Sequence, residues 1–200
     1  MGVLDSIRQA LGLSAEADAT READPEDLFG MSTAHLTMEA DLGFVPTGDA
    51  ALCFANVDST DFRDAREEVE AVLELGEAET GTSASFIEDS HGYSWVVLQD
   101  SDFENLVTSI HFAADTLIEE GFGSRLLASL FSFERAGTTA YWVYSFRRGA
   151  YYPFVPTGGR ERDGTLEFKL ESNFDGELEI EDDTSYWYPM WPEGDAHPWG

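Results

Sequence analysis

The apolar positions change period along the chain. Phe103, Leu106, Val107, Ile110, Ala114, Leu117 and Ile118 recur every three or four residues. That spacing predicts an amphipathic helix over residues 102–120, opened by Asp100 or Ser101 and stopped by Gly121. Phe62, Ala65, Val69, Val72 and Leu73 predict a second helix, opened by Ser59, Thr60 and Asp61. Gly76 is read as its end, with residues 77–82 as a connector. Ser32 caps a third predicted helix through Leu42, with Gly43 beyond it and a helical turn over residues 25–29 before it. Near the start, Val3, Leu4, Ile7, Ala10 and Leu11 give residues 2–13 a small apolar stripe.

Elsewhere the apolar residues come in short runs or alternate, as strands do. Predicted strands are residues 50–55, 83–88, 93–99, 126–133 and 139–146, with turns at 89–92 and 134–138. Leu166, Phe168 and Leu170 alternate with Glu167, Lys169 and Glu171, which predicts a further strand over 166–171. The resulting order favours an α+β fold: a mostly antiparallel sheet with helices packed on one face, loosely secretion-chaperone-like, plus a short N-terminal helical arm. The expected organisation is an arm and acidic linker over residues 1–24, one domain over 25–191, and a tail over 192–200.

Charge sharpens this picture. The 200 residues carry 40 Asp and Glu against 11 Lys and Arg, a formal net charge of −29, with one lysine. Such a surface repels phosphates, so nucleic acid is not the expected partner. Aromatic residues at 13% and hydrophobic residues at 42% supply a core that a disordered acidic chain lacks. The simplest reading is a halophilic, cytoplasmic protein whose charge reports its solvent. Its thermal midpoint is then expected to fall on dilution from 2 to 0.1 M KCl as screening weakens. An unchanged midpoint would refute the halophilic reading.

Candidate chemistry is sparse. No P-loop, nucleophile elbow or H-E-x-x-H is present, and His35, His91, His111 and His197 stand at no metal-ligand spacing. His111 reads as a partly buried helix residue and His91 as a turn residue. Cys53, in an apolar strand, reads as a core thiol. Asp100 and Asp102 read as helix-capping carboxylates. No catalytic residue, metal or cofactor is therefore expected.

One stretch departs from the background. Residues 147–169 hold five of the eleven cations and a net charge of +2, against −31 for the remainder. Arg147, Arg148, Arg160 and Arg162 interleave with Tyr151, Tyr152 and Phe154. Guanidinium forks beside aromatic rings suit carboxylates or phosphates. These seven residues are the candidate partner-binding site; the alternative is that the arginines pair with the protein's own carboxylates.

The segment GYSWVVLQDSDFENLVTSIHFAADTLIEEGFGSRLLASLFSF, residues 92–133, resembles the centre of the PspA-associated family PspAB. RRGAYYPFVP at 147–156, the opening LFGMSTAHLTMEADLGFVPTGDAALCF and the close YWYPMW are similar as well, so the resemblance spans about residues 1–191. It implies a cytoplasmic, non-catalytic accessory role in the PspA-type envelope stress response, with at most peripheral membrane contact. The implied partners are a PspA-like membrane-remodelling protein or an HtpX-type membrane protease. Two other classes stay open: a small enzyme with a site assembled from Asp, Glu and His, and a chaperone-like subunit that holds an amphipathic partner segment.

Overall fold

The computed structural model describes residues 23–89, 92–191 and 198–199. The predicted N-terminal arm, His91 and His197 lie outside them. The architecture is α+β, built on one six-stranded antiparallel sheet. Its strands are β1 (Val45–Ala55), β2 (Ser83–Glu88), β3 (Tyr93–Gln99), β4 (Leu126–Arg135), β5 (Thr138–Ser145) and β6 (Ala150–Phe154). They lie in the order β2-β3-β1-β4-β5-β6. The helices are α1 (Gly30–Leu42), α2 (Thr60–Thr80), α3 (Phe103–Glu119) and α4 (Gly164–Phe174), and a 3-10 turn (Pro25–Phe29) precedes α1. A small hairpin, β7 (Pro156–Gly158) with β8 (Glu161–Arg162), follows β6.

Strand alternation sends each sheet face into its own core. Leu52, Phe54, Val96, Phe131, Trp142 and Tyr151 point to the helices, where Leu106, Ile110, Val69 and Phe174 meet them. Cys53, Trp95, Leu130, Val143, Tyr152 and Phe154 point the other way, where Trp187 and Met190 cover them. All four described helices thus lie on one face. The second face is roofed by the C-terminal segment, residues 179–191, which we call the strap. Burial on both faces explains why the central strands read as nearly continuous apolar runs.

Several boundaries differ from expectation, each for a local reason. β1 begins at Val45, not at residue 50, because Pro46 and Gly48 sit in a register shift opposite β4. Gly48 has φ +86, and a Cβ there would lie 2.9 Å from the Asp100 carbonyl oxygen. α2 runs through Gly76 and ends at Gly81, whose φ of +86 supplies the left-handed cap. Nothing lies within 4 Å of a Cβ added at Gly76. Gly76→Ala should therefore stabilise the protein by about 0.5–1 kcal/mol in urea titrations; destabilisation would contradict this placement.

The expected strand over residues 166–171 is a helix, α4. Asp163 caps it by accepting from the Leu166 N–H at 3.0 Å. Glu167, Leu170 and Phe174 form its buried stripe, while Phe168 is 53% exposed. The alternation at Leu166, Phe168 and Leu170 is shorter than the helical period running from Glu167 to Phe174. The third strand after α3 is instead β6, which pairs with β5.

Asp102, not Asp100, caps α3, accepting from the Glu104 N–H at 3.0 Å. Asp100 ties the β3–α3 connection together. It accepts from Thr82 Oγ1 at 2.5 Å, the Asp102 N–H at 2.8 Å and Asn105 Nδ2 at 3.0 Å. Burial pushes its carboxyl up, but these donors outweigh burial and hold it below its ordinary value of 3.8. The stability lost in Asp100→Asn should be fully present above pH 3.8 and should close as pH falls through the lowered folded value. Urea midpoints of both proteins at pH 6 and 3 test the sign. A gap that widens toward pH 3 would contradict it.

Candidate functional site

β5 ends at Ser145, and a tight turn returns the chain into β6. Gly149, at φ +60, makes that reversal, with its N–H on the Ser145 carbonyl at 2.8 Å. This geometry separates Arg147 from Arg148. Arg147 is half-buried, and its Nη2 donates to the Ser124 carbonyl at 2.9 Å. Arg148 turns under the strap and is buried. Its Nε and Nη2 donate to the two Glu181 carboxylate oxygens at 2.5 and 3.2 Å. Its guanidinium carbon lies 3.8 Å from the Tyr186 ring centroid.

Glu181 belongs to the strap, which runs beside the outer edge of β6. The Tyr151 N–H donates to the Glu179 carbonyl at 2.8 Å, and the Glu181 N–H to the Tyr151 carbonyl at 2.9 Å. The Trp187 indole N–H then reaches back to the Glu181 carbonyl at 2.8 Å.

Arg162 fastens the strap from the other end. Its Nε bridges both Glu167 oxygens at 2.7 and 2.9 Å, and its Nη1 donates to the Trp187 carbonyl at 2.8 Å. Glu167 also accepts from the Val155 N–H at 2.8 Å. Burial pushes the Glu167 carboxyl up, and Arg162 and the Val155 N–H offset that only in part.

The structure thus corrects the expected docking surface. Tyr151, Tyr152 and Phe154 are core residues of β6, on alternate sheet faces. Pro153 does not hold them in an exposed path; it sits within a strand that pairs with β5. Arg148 and Arg162 follow the internal alternative, pairing with the protein's own carboxylates. A positive island in the sequence became one buried and one half-buried staple, because folding delivers Glu181 and Glu167 from later in the chain. The sequence noted the aromatic close, but nothing in it linked Glu181 or Trp187 to the arginines.

Arg160 is different. It is exposed, in the β7–β8 turn, with φ +61 after Gly158 and Gly159 at φ +90 and +62. It lines a cleft of about 500 Å³ whose other walls include Thr138, Thr139, Tyr141, Thr157 and Trp191. The Tyr141 ring stacks on Trp199 with centroids 5.9 Å apart, and Trp191 meets Phe154 edge-on at 5.1 Å. Burial, with Asp49 adding to it, pushes the Tyr141 phenol up to about 12, so it stays protonated at neutral pH. The cleft therefore offers hydroxyls, aromatic edges, one accessible guanidinium and the carboxylate of Asp163, which caps α4 through the Leu166 N–H; Arg160 is its anion-binding group.

Other candidates resolve simply. Burial, with Asp89 adding to it, pushes the Cys53 thiol well above its ordinary value, so it is not an activated nucleophile. His111 is buried on α3, with Nε2 3.1 Å from Glu26 Oε1 and its ring 4.6 Å from that of Phe29. Among the described residues, no group of three or more His, Cys, Asp or Glu is placed to hold a metal ion. No described helix is long and apolar enough to cross a membrane.

A family model described as PspA associated protein B matches residues 1–199. No curated protein and no solved structure matches the chain.

Proposed function

The chain belongs to the PspA-associated protein B family, and on that premise we propose that it is a non-catalytic accessory protein that binds a PspA-like membrane-remodelling protein during envelope stress. The family match over residues 1–199 carries this reading. The site geometry supports it: the Arg160 cleft presents a guanidinium on an otherwise acidic molecule, where an acidic partner would meet least repulsion. Arg147 lies at the opposite end of β5 and β6 from this cleft, where it donates to the Ser124 carbonyl, and is not part of the cleft.

The test is co-elution of the purified full chain with the PspA-like protein of the same organism, in 2 M KCl. A stable complex is expected, with Arg160→Glu weakening it at least tenfold and leaving the thermal midpoint within a few degrees. Capture of an HtpX-type protease instead would move the partner. Binding to neither would overturn the accessory role.

A further inference from the structure

The two edges of the sheet are finished differently. Along β6 the strap supplies backbone partners, through the bridge between Tyr151 and Ile180, and Pro153 removes a donor. Along β2 no described segment pairs with the outer edge. Strand edges of this kind are usually blunted by lysine, proline or a bulge. The β2 sequence, Ser-Ala-Ser-Phe-Ile-Glu, has neither residue, and its register with β3 is unbroken from Ser83↔Gln99 to Glu88↔Ser94.

The register also fixes which groups face outward. The Asp89 N–H donates to the Tyr93 carbonyl at 2.9 Å, so Asp89 and Tyr93 form a hydrogen-bonded pair. Antiparallel pairs alternate. Ile87, Ser85 and Ser83 therefore bond to β3, and Ala84, Phe86 and Glu88 turn their N–H and C=O groups away from it. Ile87 is 42% exposed beside this edge. Phe86 is held on the helix face by the Arg66 guanidinium, 5.4 Å from its ring centroid. The edge is thus fixed in register and unpaired among the described residues.

Charge selects what fits there. Glu74, Glu77 and Glu79 lie at the end of α2, Glu88 ends β2 and Asp89 follows it; residues 74–89 contain no Lys or Arg, and Arg66, the cation over Phe86, pairs with Glu70 at 3.4 Å. A second copy of this chain would bring the same acids and another −29 charges. We propose that the β2 edge docks an extended, Lys- or Arg-bearing segment of a partner protein, which adds a seventh strand to the sheet. This rests on the accessory role only in taking the partner to be a protein.

The probe is a blocked ten-residue peptide of alternating Val and Thr with Lys at both ends. Its controls are a twin with Glu at the ends and a twin N-methylated at alternate residues. Amide exchange is followed on the full chain by NMR. The Lys-ended peptide should slow exchange at Ala84, Phe86 and Glu88 at least tenfold, and neither control should. Unchanged exchange at millimolar peptide, or equal protection by the Glu-ended twin, would overturn the proposal. So would protection in the free protein that rises with its own concentration, which would make a second copy the occupant.

Ala84→Pro removes one outward N–H and no bond to β3. It should abolish the peptide's effect while the midpoint shifts by only a few degrees. Ser85→Pro, which removes a bond to β3, should destabilise the fold. The same Ala84→Pro chain is then mixed with the PspA-like protein. Undiminished binding there would overturn the edge as the partner's route and leave the accessory role intact. Peptide docking on a wild-type chain that binds no PspA-like protein would do the reverse.

Discussion

Replacing Arg148 with Met should destabilise the fold by about 3–5 kcal/mol, because it leaves the Glu181 carboxylate buried without its counter-ion. For a chain of this size that is a fall of roughly 6–20 °C in thermal midpoint. Arg148 and Glu181 are 8% and 7% exposed, so water cannot replace the lost donors. The second substitution Glu181→Leu should recover only part of the loss. Glu181 Oε1 also accepts from the Asp183 N–H at 3.0 Å, and that donor would then be orphaned. Urea titrations of the single and double variants measure both effects. A loss below about 1 kcal/mol in Arg148→Met is the value expected of an exposed pair and would return the arginine to the surface.

Trp187→Ala should cost about as much, roughly 3–5 kcal/mol, the range for emptying an aromatic site in a core. The ring is 4% exposed and lies 5.7 Å from that of Phe168. Its indole N–H folds the strap back onto its own Glu181 carbonyl, and its carbonyl ties the strap to Arg162. Because Trp187 and Arg148 share Glu181, their losses should not add. The double variant should fall short of the sum by about 0.5–3 kcal/mol. Additivity within about 0.3 kcal/mol would mean that the strap does not act as one unit. Trp187→Ala should also raise binding of an apolar dye, since Cys53, Val143 and Tyr152 lie beneath the strap.

Elements whose signal is local were legible in the sequence. The predicted α3 stripe is buried from Phe103 to Leu117 as its period requires, but Ile118, expected in it, is 38% exposed at the helix end. The β4–β5 turn was legible too: Ala136 and Gly137 take φ of +50 and +82, the two-residue turn that suits strand twist. What failed was decided at long range. Leu166, Phe168 and Leu170 alternate, but burial of Glu167 against Arg162 fixes the face of α4. Gly76 looked like a stop, yet on an exposed helix position glycine costs only about 1 kcal/mol against alanine.

The candidate arginines part company on one ground. A charge count cannot distinguish Arg148, which meets a carboxylate 33 residues away, from Arg160, which meets solvent. Tyr151 and Tyr152 read as a surface run because Pro153 follows them. Only the pairing with Tyr144 and Val143 places them inside the sheet.

The strap has a consequence for how the molecule is made. β1 finds its neighbour β4 only after seventy residues of intervening chain, and the roof over the second face comes later still, from Trp187 and Met190. At the usual pace of translation, the stretch from Phe154 to Trp191 takes roughly 2–7 s to emerge. Throughout that interval the sheet has its helix face formed in large part and its other face bare, with Trp95, Leu130 and Tyr152 among the residues waiting for cover. A chain that forms its sheet within that interval exposes one apolar face, the kind of surface that makes folding intermediates prone to aggregate.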